Sequence, residues 1–123
     1  ATEGAVARAA LDSLAMRFRQ VLEMCRDITG KPIDTIHIVG GGTRNTLLCQ
    51  LAADATNCRV VAGPVEATAI GNIMMQAVAA GDVAGIQEAR SVIRDSFDVV
   101  EYLPNHTEET ENAYHRFLAV CDK

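Results

Sequence analysis

"IHIVGGGTRNTLLCQLAADATNCRVVAGP", residues 36–64, sets three glycines between an apolar run and an amphipathic run, and closes on a second apolar run. Residues 34–39, "DTIHIV", are short, β-branched and partly alternating, which predicts a strand. After the glycines, Leu47, Leu48, Leu51, Ala52 and Ala55 recur at helical spacing to about Asn57. "CRVVA", 58–62, reads as a second strand and "GP", 63–64, as a turn. Strand, helix, strand in that order implies a parallel pair joined by a right-handed crossover. Two parallel strands do not complete an α/β layer, because parallel sheets are wider and are covered on both faces. The sheet calls for completion by other strands, by another chain or by sequence beyond these residues.

The flanks read mostly as helix. From about Val6 to Cys25, Leu11, Leu14, Phe18, Val21, Leu22 and Cys25 form one stripe, which Gly30 and Pro32 end. A third helix runs from Glu66 to about Ala80 with Gly81 as its stop, and a shorter one covers 84–93. "SFDVVEYL", 96–103, is predicted extended and is halted by Pro104. The last helix begins near Thr107, with Glu108 and Glu109 at the positive end of its dipole and Tyr114, Phe117, Leu118 and Cys121 as its buried face.

The 123 residues suit one domain with a core of its own, and 49% apolar with 22% charged residues is the composition of an ordered globular chain. A formal charge of -5 argues against nucleic acid as a partner. No apolar run reaches membrane-span length and no secretory leader pattern opens the chain. The start, "ATEGAVARAALDSL", is already helical in pattern, as in a processed protein or an excised domain. Cys25, Cys49, Cys58 and Cys121 lack CxxC or metal-ligand spacing and are expected reduced and mostly buried, in a cytoplasmic protein.

Two readings of the glycines stay open on spacing alone. A glycine turn between a parallel strand and a helix can bring backbone N–H groups and a helix dipole to a nucleotide. It can equally be a tight turn that uses glycine for positive φ. Neither GxGxxG nor the P-loop pattern is present. Thr43 is a candidate cap, and Asn45 could reach a ligand by its amide. In "PVEATAIGNIMMQA", 64–77, Ala67, Gly71 and Met75 share a stripe that suits tight helix packing, and Met74 and Met75 read as core. His37 reads as a strand histidine, while His106 and His115 are expected solvated. Asp54 is either a base or a carboxylate bonding an adjacent loop. No Ser–His–Asp set, metal cluster or acid–base carboxylate pair is legible.

The stretch 36–77 resembles the C-terminal ATP-binding region of the FGGY sugar kinases. The resemblance is carried by the strand ending in "GGG", the helix "NTLLCQLAAD", the strand "CRVVAGP" and "EATAIGN" opening the next helix. Within that family, "VAGPVEATAIGNI" points to the branch acting on L-rhamnulose. The resemblance implies an α/β fragment of an actin-like, ribonuclease-H-like ATPase domain, with a parallel strand pair and several covering helices. It implies ATP as a partner, Mg²⁺ held mainly through the phosphates, and L-rhamnulose bound mostly by sequence not present here. By the same resemblance Gly41 is the principal contact to adenosine, with Gly40, Gly42 and Asn45 as neighbours, and the helix from Glu66 packs behind the pocket. Residues 1–123 would be the C-terminal part of the second, ATP-binding domain, without the N-terminal sugar-binding domain. The family's catalytic aspartate and phosphate loop lie upstream of this region, so no catalytic residue and no metal ligand is assigned, and the segment alone is expected inactive. The alternatives are a non-catalytic sugar-kinase-like module for oligomerisation or regulation, an FGGY kinase for another ketose or polyol, or another ATPase of the superfold.

Overall fold

The computed structural model describes residues 1–121. Five α-helices and three strands follow the order α1 (Glu3–Thr29), β1 (Thr35–Ile38), a 3-10 turn (Gly40–Arg44), α2 (Thr46–Thr56), β2 (Arg59–Ala62), α3 (Ala67–Ala80), α4 (Ile86–Ser96), β3 (Val100–Tyr102) and α5 (Glu108–Cys121). Caps explain several helix ends. The Thr2 hydroxyl accepts from Ala5 N–H at the start of α1, and Gly30 closes it in the left-handed region at φ 64°. Gly81 closes α3 in the same way, as its position in the sequence predicts.

The sheet order is β1-β2-β3. β1 and β2 are parallel, with Ile36 opposite Val60 and Ile38 opposite Ala62. This is the predicted pair. β3 runs antiparallel to β2, Tyr102 facing Val60, and supplies a third strand from within the chain. The predicted extended segment 96–103 narrows to three residues because α4 continues through Ser96, where the Phe97 N–H still donates to the Ile93 carbonyl.

The period-two alternation of the strands puts Ile36, Ile38, Val60, Ala62 and Tyr102 on the face that meets α2. Cys49, Ala52 and Ala53 of α2 are fully buried there. These small side chains let the helix lie close on the sheet. α1 packs along α2, burying Ala15 and Leu22. The rest of its predicted stripe is more open than expected: Leu14, Phe18 and Val21 are 47%, 38% and 46% exposed.

The cysteine expectation also needs correction. All four thiols are free, but only Cys49 and Cys58 are buried, while Cys25 and Cys121 are exposed. Cys121 therefore does not belong to the buried face of α5, where Tyr114 is buried and Phe117 and Leu118 are half-buried. Helical spacing gives the direction of a side chain, not whether another element covers it.

Candidate nucleotide-facing turn

The glycine turn sits where β1 ends. Gly40 has φ 78°, which glycine adopts without strain. Its N–H donates to the Pro64 carbonyl at 3.1 Å, and Gly63 N–H donates to the Ile38 carbonyl at 2.9 Å. These two bonds tie the turn to the loop that follows β2. Thr43 Oγ1 donates to the Gly40 carbonyl at 2.7 Å and closes the turn on itself.

The other two glycines are not required by the chain. Among the described residues the positive-φ glycines are Gly30, Gly40, Gly63 and Gly81, so neither Gly41 nor Gly42 needs glycine for its φ. A Cβ at Gly41 would meet nothing within 4 Å, and one at Gly42 only the Ile38 side chain, at an ordinary 3.8 Å. Both positions are exposed, and the Gly41 N–H has no acceptor among the described residues. The turn presents a bare strip of backbone at Gly41 and Gly42, followed by exposed Arg44.

The cap of α2 is Asn45, not Thr43. Asn45 Oδ1 accepts from Leu48 N–H at 3.0 Å, and its amide NH₂ stays available to a ligand. Beneath the turn, the Cys49 thiol lies 3.9 Å from the Gly42 carbonyl. Burial pushes this thiol's pKa up, so it stays protonated. Glu66 is exposed and precedes α3 without a side-chain cap bond. α3 buries no residue and Met75 is 53% exposed, so among the described residues nothing covers the Ala67–Gly71–Met75 stripe and Met75 is not part of the core.

Asp54 resolves as a loop carboxylate. Its Oδ1 accepts from Asn105 N–H and from Gln50 Nε2, each at 2.8 Å, while Gln50 Nε2 also donates to the Leu103 carbonyl. His106, expected in solvent, is half-buried beside it, with Nδ1 2.7 Å from the Asp54 carbonyl and Nε2 2.6 Å from Glu111 Oε1. A sequence signal for this was available in the Asn105–His106 pair ahead of an acidic helix start, but no spacing rule links it to Asp54, some fifty positions away. His37 and His115 are exposed.

Arg19 Nη2 also donates to Glu111 Oε2 at 3.0 Å, while Nη1 lies 2.9 Å from Oε1 as an ion-pair contact without a hydrogen-bond partner of its own. The hydrogen bond from Arg19 holds the Glu111 pKa below the usual carboxylate value, against the pull of its burial. For Arg19, burial alone would lower the pKa, but hydrogen bonds and charge from Glu111 and Glu23 outweigh it and the net direction is up. Its guanidinium lies 4.0 Å over the Tyr114 ring, and the Tyr114 hydroxyl donates to Glu23 at 2.6 Å. Burial, reinforced by Glu23, pushes Tyr114 up to about 12. The network bonds α1, α5 and the 105–106 loop together. It is remote in sequence from the glycine turn.

Two clefts flank these elements, and the second reaches Gly63 and Pro64 of the loop bonded to the turn. One, of about 710 Å³, runs between α1, α2 and α5; the other, of about 670 Å³, separates the second face of the sheet from α4. No group of three or more metal-ligating side chains converges among the described residues. No helix among them is long and apolar enough to cross a membrane.

Five helices on a three-stranded sheet with a parallel pair make a mixed α/β fragment, as expected of an actin-like, ribonuclease-H-like ATPase domain of this kind. Residues 1–80 match the FGGY family of carbohydrate kinases, C-terminal domain. Rhamnulokinase of Bacteroides thetaiotaomicron is 44% identical over 114 residues, covering 93% of this chain and 24% of that protein. Rhamnulokinases of Halalkalibacterium halodurans and Bacillus subtilis are 47% and 45% identical over 81% and 84% of this chain, and 21% of each of theirs. The chain belongs to the FGGY family of carbohydrate kinases, and it spans between a fifth and a quarter of the length of the curated relatives it matches.

Proposed function

We propose that this segment forms the adenosine-facing wall of the ATP site in a kinase that converts L-rhamnulose to L-rhamnulose 1-phosphate. The observation that carries the reading is the pair Gly41 and Gly42. Their side chains are missing from a place where neither backbone strain nor crowding within the chain demands it. Bare backbone there suits the close approach of a ligand. The sugar rests on the relatives, three rhamnulokinases at 44% to 47% identity.

The reading as an adenosine wall rests on the family resemblance. The Gly40–Gly42 backbone is open, the Gly41 N–H and the Asn45 NH₂ are free to donate, and exposed Arg44 ends the turn. Gly40 fixes the turn and Gly41, Gly42 and Asn45 touch the ligand. Mg²⁺ would be held mainly through the phosphates and would supply charge neutralisation there, with no residue of this segment assigned to hold it. The carboxylate that accepts the proton of the sugar's primary hydroxyl belongs to the rest of the enzyme. Residues 1–123 are read as the C-terminal part of its second domain, and their contribution is binding and orientation.

The test is Gly41→Asp in the full-length protein. A side chain and a negative charge at that point raise KM for ATP by about tenfold or more, equivalent to about 1.4 kcal/mol, with KM for the sugar unchanged. An unaltered KM for ATP sinks the assignment. A coupled assay with rhamnulose, fuculose, xylulose, ribulose and glycerol checks the sugar; preference for another substrate retains the kinase and rejects rhamnulose.

A further inference from the structure

His106 stands between two acceptors. Its Nδ1 lies 2.7 Å from the Asp54 carbonyl oxygen, and its Nε2 lies 2.6 Å from Glu111 Oε1. A carbonyl oxygen has no proton to give, so the first contact requires N–H on Nδ1. The second requires a proton on Nε2 unless Glu111 supplies one. Glu111 does not, because the hydrogen bond from Arg19 keeps it a carboxylate across the neutral range. A neutral imidazole has one N–H, and either tautomer sets a bare ring nitrogen against an oxygen lone pair. The doubly protonated ring satisfies both contacts at once.

We infer that His106 is a proton-dependent latch: as an imidazolium it clamps the 103–106 loop and the start of α5 to the end of α2, and loss of one proton to solvent releases the clamp. The charged groups around the ring come from three helices. α5 brings Glu111 and Tyr114, whose hydroxyl donates to Glu23 of α1. α1 brings Glu23 and Arg19, which are bonded to each other. α2 brings Asp54, whose carboxylate already accepts from Asn105 N–H and Gln50. Arg8, Asp12, Glu109 and Arg116 line the adjoining cleft. Glu111 Oε1 is contested, because Arg19 Nη1 lies 2.9 Å from it, buried and without a hydrogen bond among the described residues. The neutral ring keeps one of its two bonds, and Oε1 turns to Arg19 Nη1. The link from α5 to α1 then survives while the link to α2 opens. The proton is held by two acceptors in the latched form and by neither in the open one. The latch is therefore fully present below the ordinary imidazole value near 6.5 and is lost as pH rises beyond it.

The experiment follows amide hydrogen exchange of residues 103–115 in the full-length protein by mass spectrometry. Exchange is read at about pH 5.5 and about pH 8.5, either side of the ordinary imidazole value, with the intrinsic pH dependence divided out. Protection of this segment is expected to fall by about tenfold from the lower to the higher pH. His106→Gln keeps a donor but has no proton to lose, so it should sit at the weaker level at both pH values. Protection that does not change with pH in the unaltered protein overturns the latch. A pH dependence that persists in His106→Gln also overturns it and assigns the change to another group. If His106→Gln does not fold, Glu111→Gln tests the same step. Facing an amide, the ring needs only one proton, so the pH dependence should vanish there too, and its persistence rejects the latch.

Discussion

The two faces of the three-stranded sheet are covered very differently. On one, Ile36, Ile38, Val60, Ala62 and Tyr102 meet α2, and Val60, Cys49, Ala52 and Ala53 are completely buried. On the other, His37, Arg59, Val61 and Glu101 look across an open cleft to α4, which buries only Ala89. Caps and propensity make helices on both sides. What separates the sides is area: α2 has small residues on a stripe that fits the pleat, whereas α4 presents Arg90 and Arg94 to the sheet across the cleft. A helix is specified by its own residues, but a layer needs a partner surface that matches it.

That contrast can be attacked in order of expected size. Val60→Ala removes packing from the fully buried face and should destabilise the domain by about 2–4 kcal/mol, while Arg90→Ala on the far wall of the cleft should cost less than about 0.5 kcal/mol. Denaturant midpoints for the two variants test this directly; equal shifts would mean that both faces carry the core. Next in size is a contrast of glycines. At Gly63, φ is 129° and an added Cβ would lie 3.1 Å from the Asp98 carbonyl oxygen, so Gly63→Ala should cost about 2–3 kcal/mol. Gly41→Ala, with open space around it, should stay within about 0.5 kcal/mol. A large loss of stability at Gly41 would give that glycine a structural cause and weaken the ligand argument.

The smallest expected effect is the pH response of the α1–α5 network. Tyr114 is raised to about 12, so its contribution is fully present below the ordinary tyrosine value near 10 and is lost as pH rises through about 12. Glu111 is depressed, so its contribution is present above the ordinary carboxylate value near 4.3 and is lost as pH falls through its lower folded value. Melting temperature against pH should therefore be flat between these limits from these two groups, and Tyr114→Phe should remove the alkaline component. An unchanged alkaline slope in that variant would place its origin elsewhere.

Much of the candidate turn was legible because its signals are local. Three consecutive glycines after a β-branched run mark a strand end, and Leu47, Leu48 and Leu51 mark the helix that follows. The identity of the cap was not legible. Thr43 and Asn45 both have capping side chains, and only the folded backbone shows that Thr43 turns back to the Gly40 carbonyl while Asn45 meets Leu48 N–H. His106 was misread for a related reason. Its partners are Glu111, five residues on, and the Asp54 carbonyl, brought near only when the 103–106 loop lies against α2.

By itself the sequence determined the helices with clear stops, the parallel pair β1–β2, the position of the glycine turn and the family resemblance that the relatives bear out. All of these depend on residues within a few turns of one another, or on a contiguous motif. Only the tertiary structure decided that β3 joins the sheet, that Asp54 is spent on a loop, that Gly40 alone of the three glycines needs its φ, and that α3 is left uncovered. Each of these turns on which distant surfaces meet. The hydrophobic effect acts on the area removed from water, and a periodic stripe says only which way that area faces.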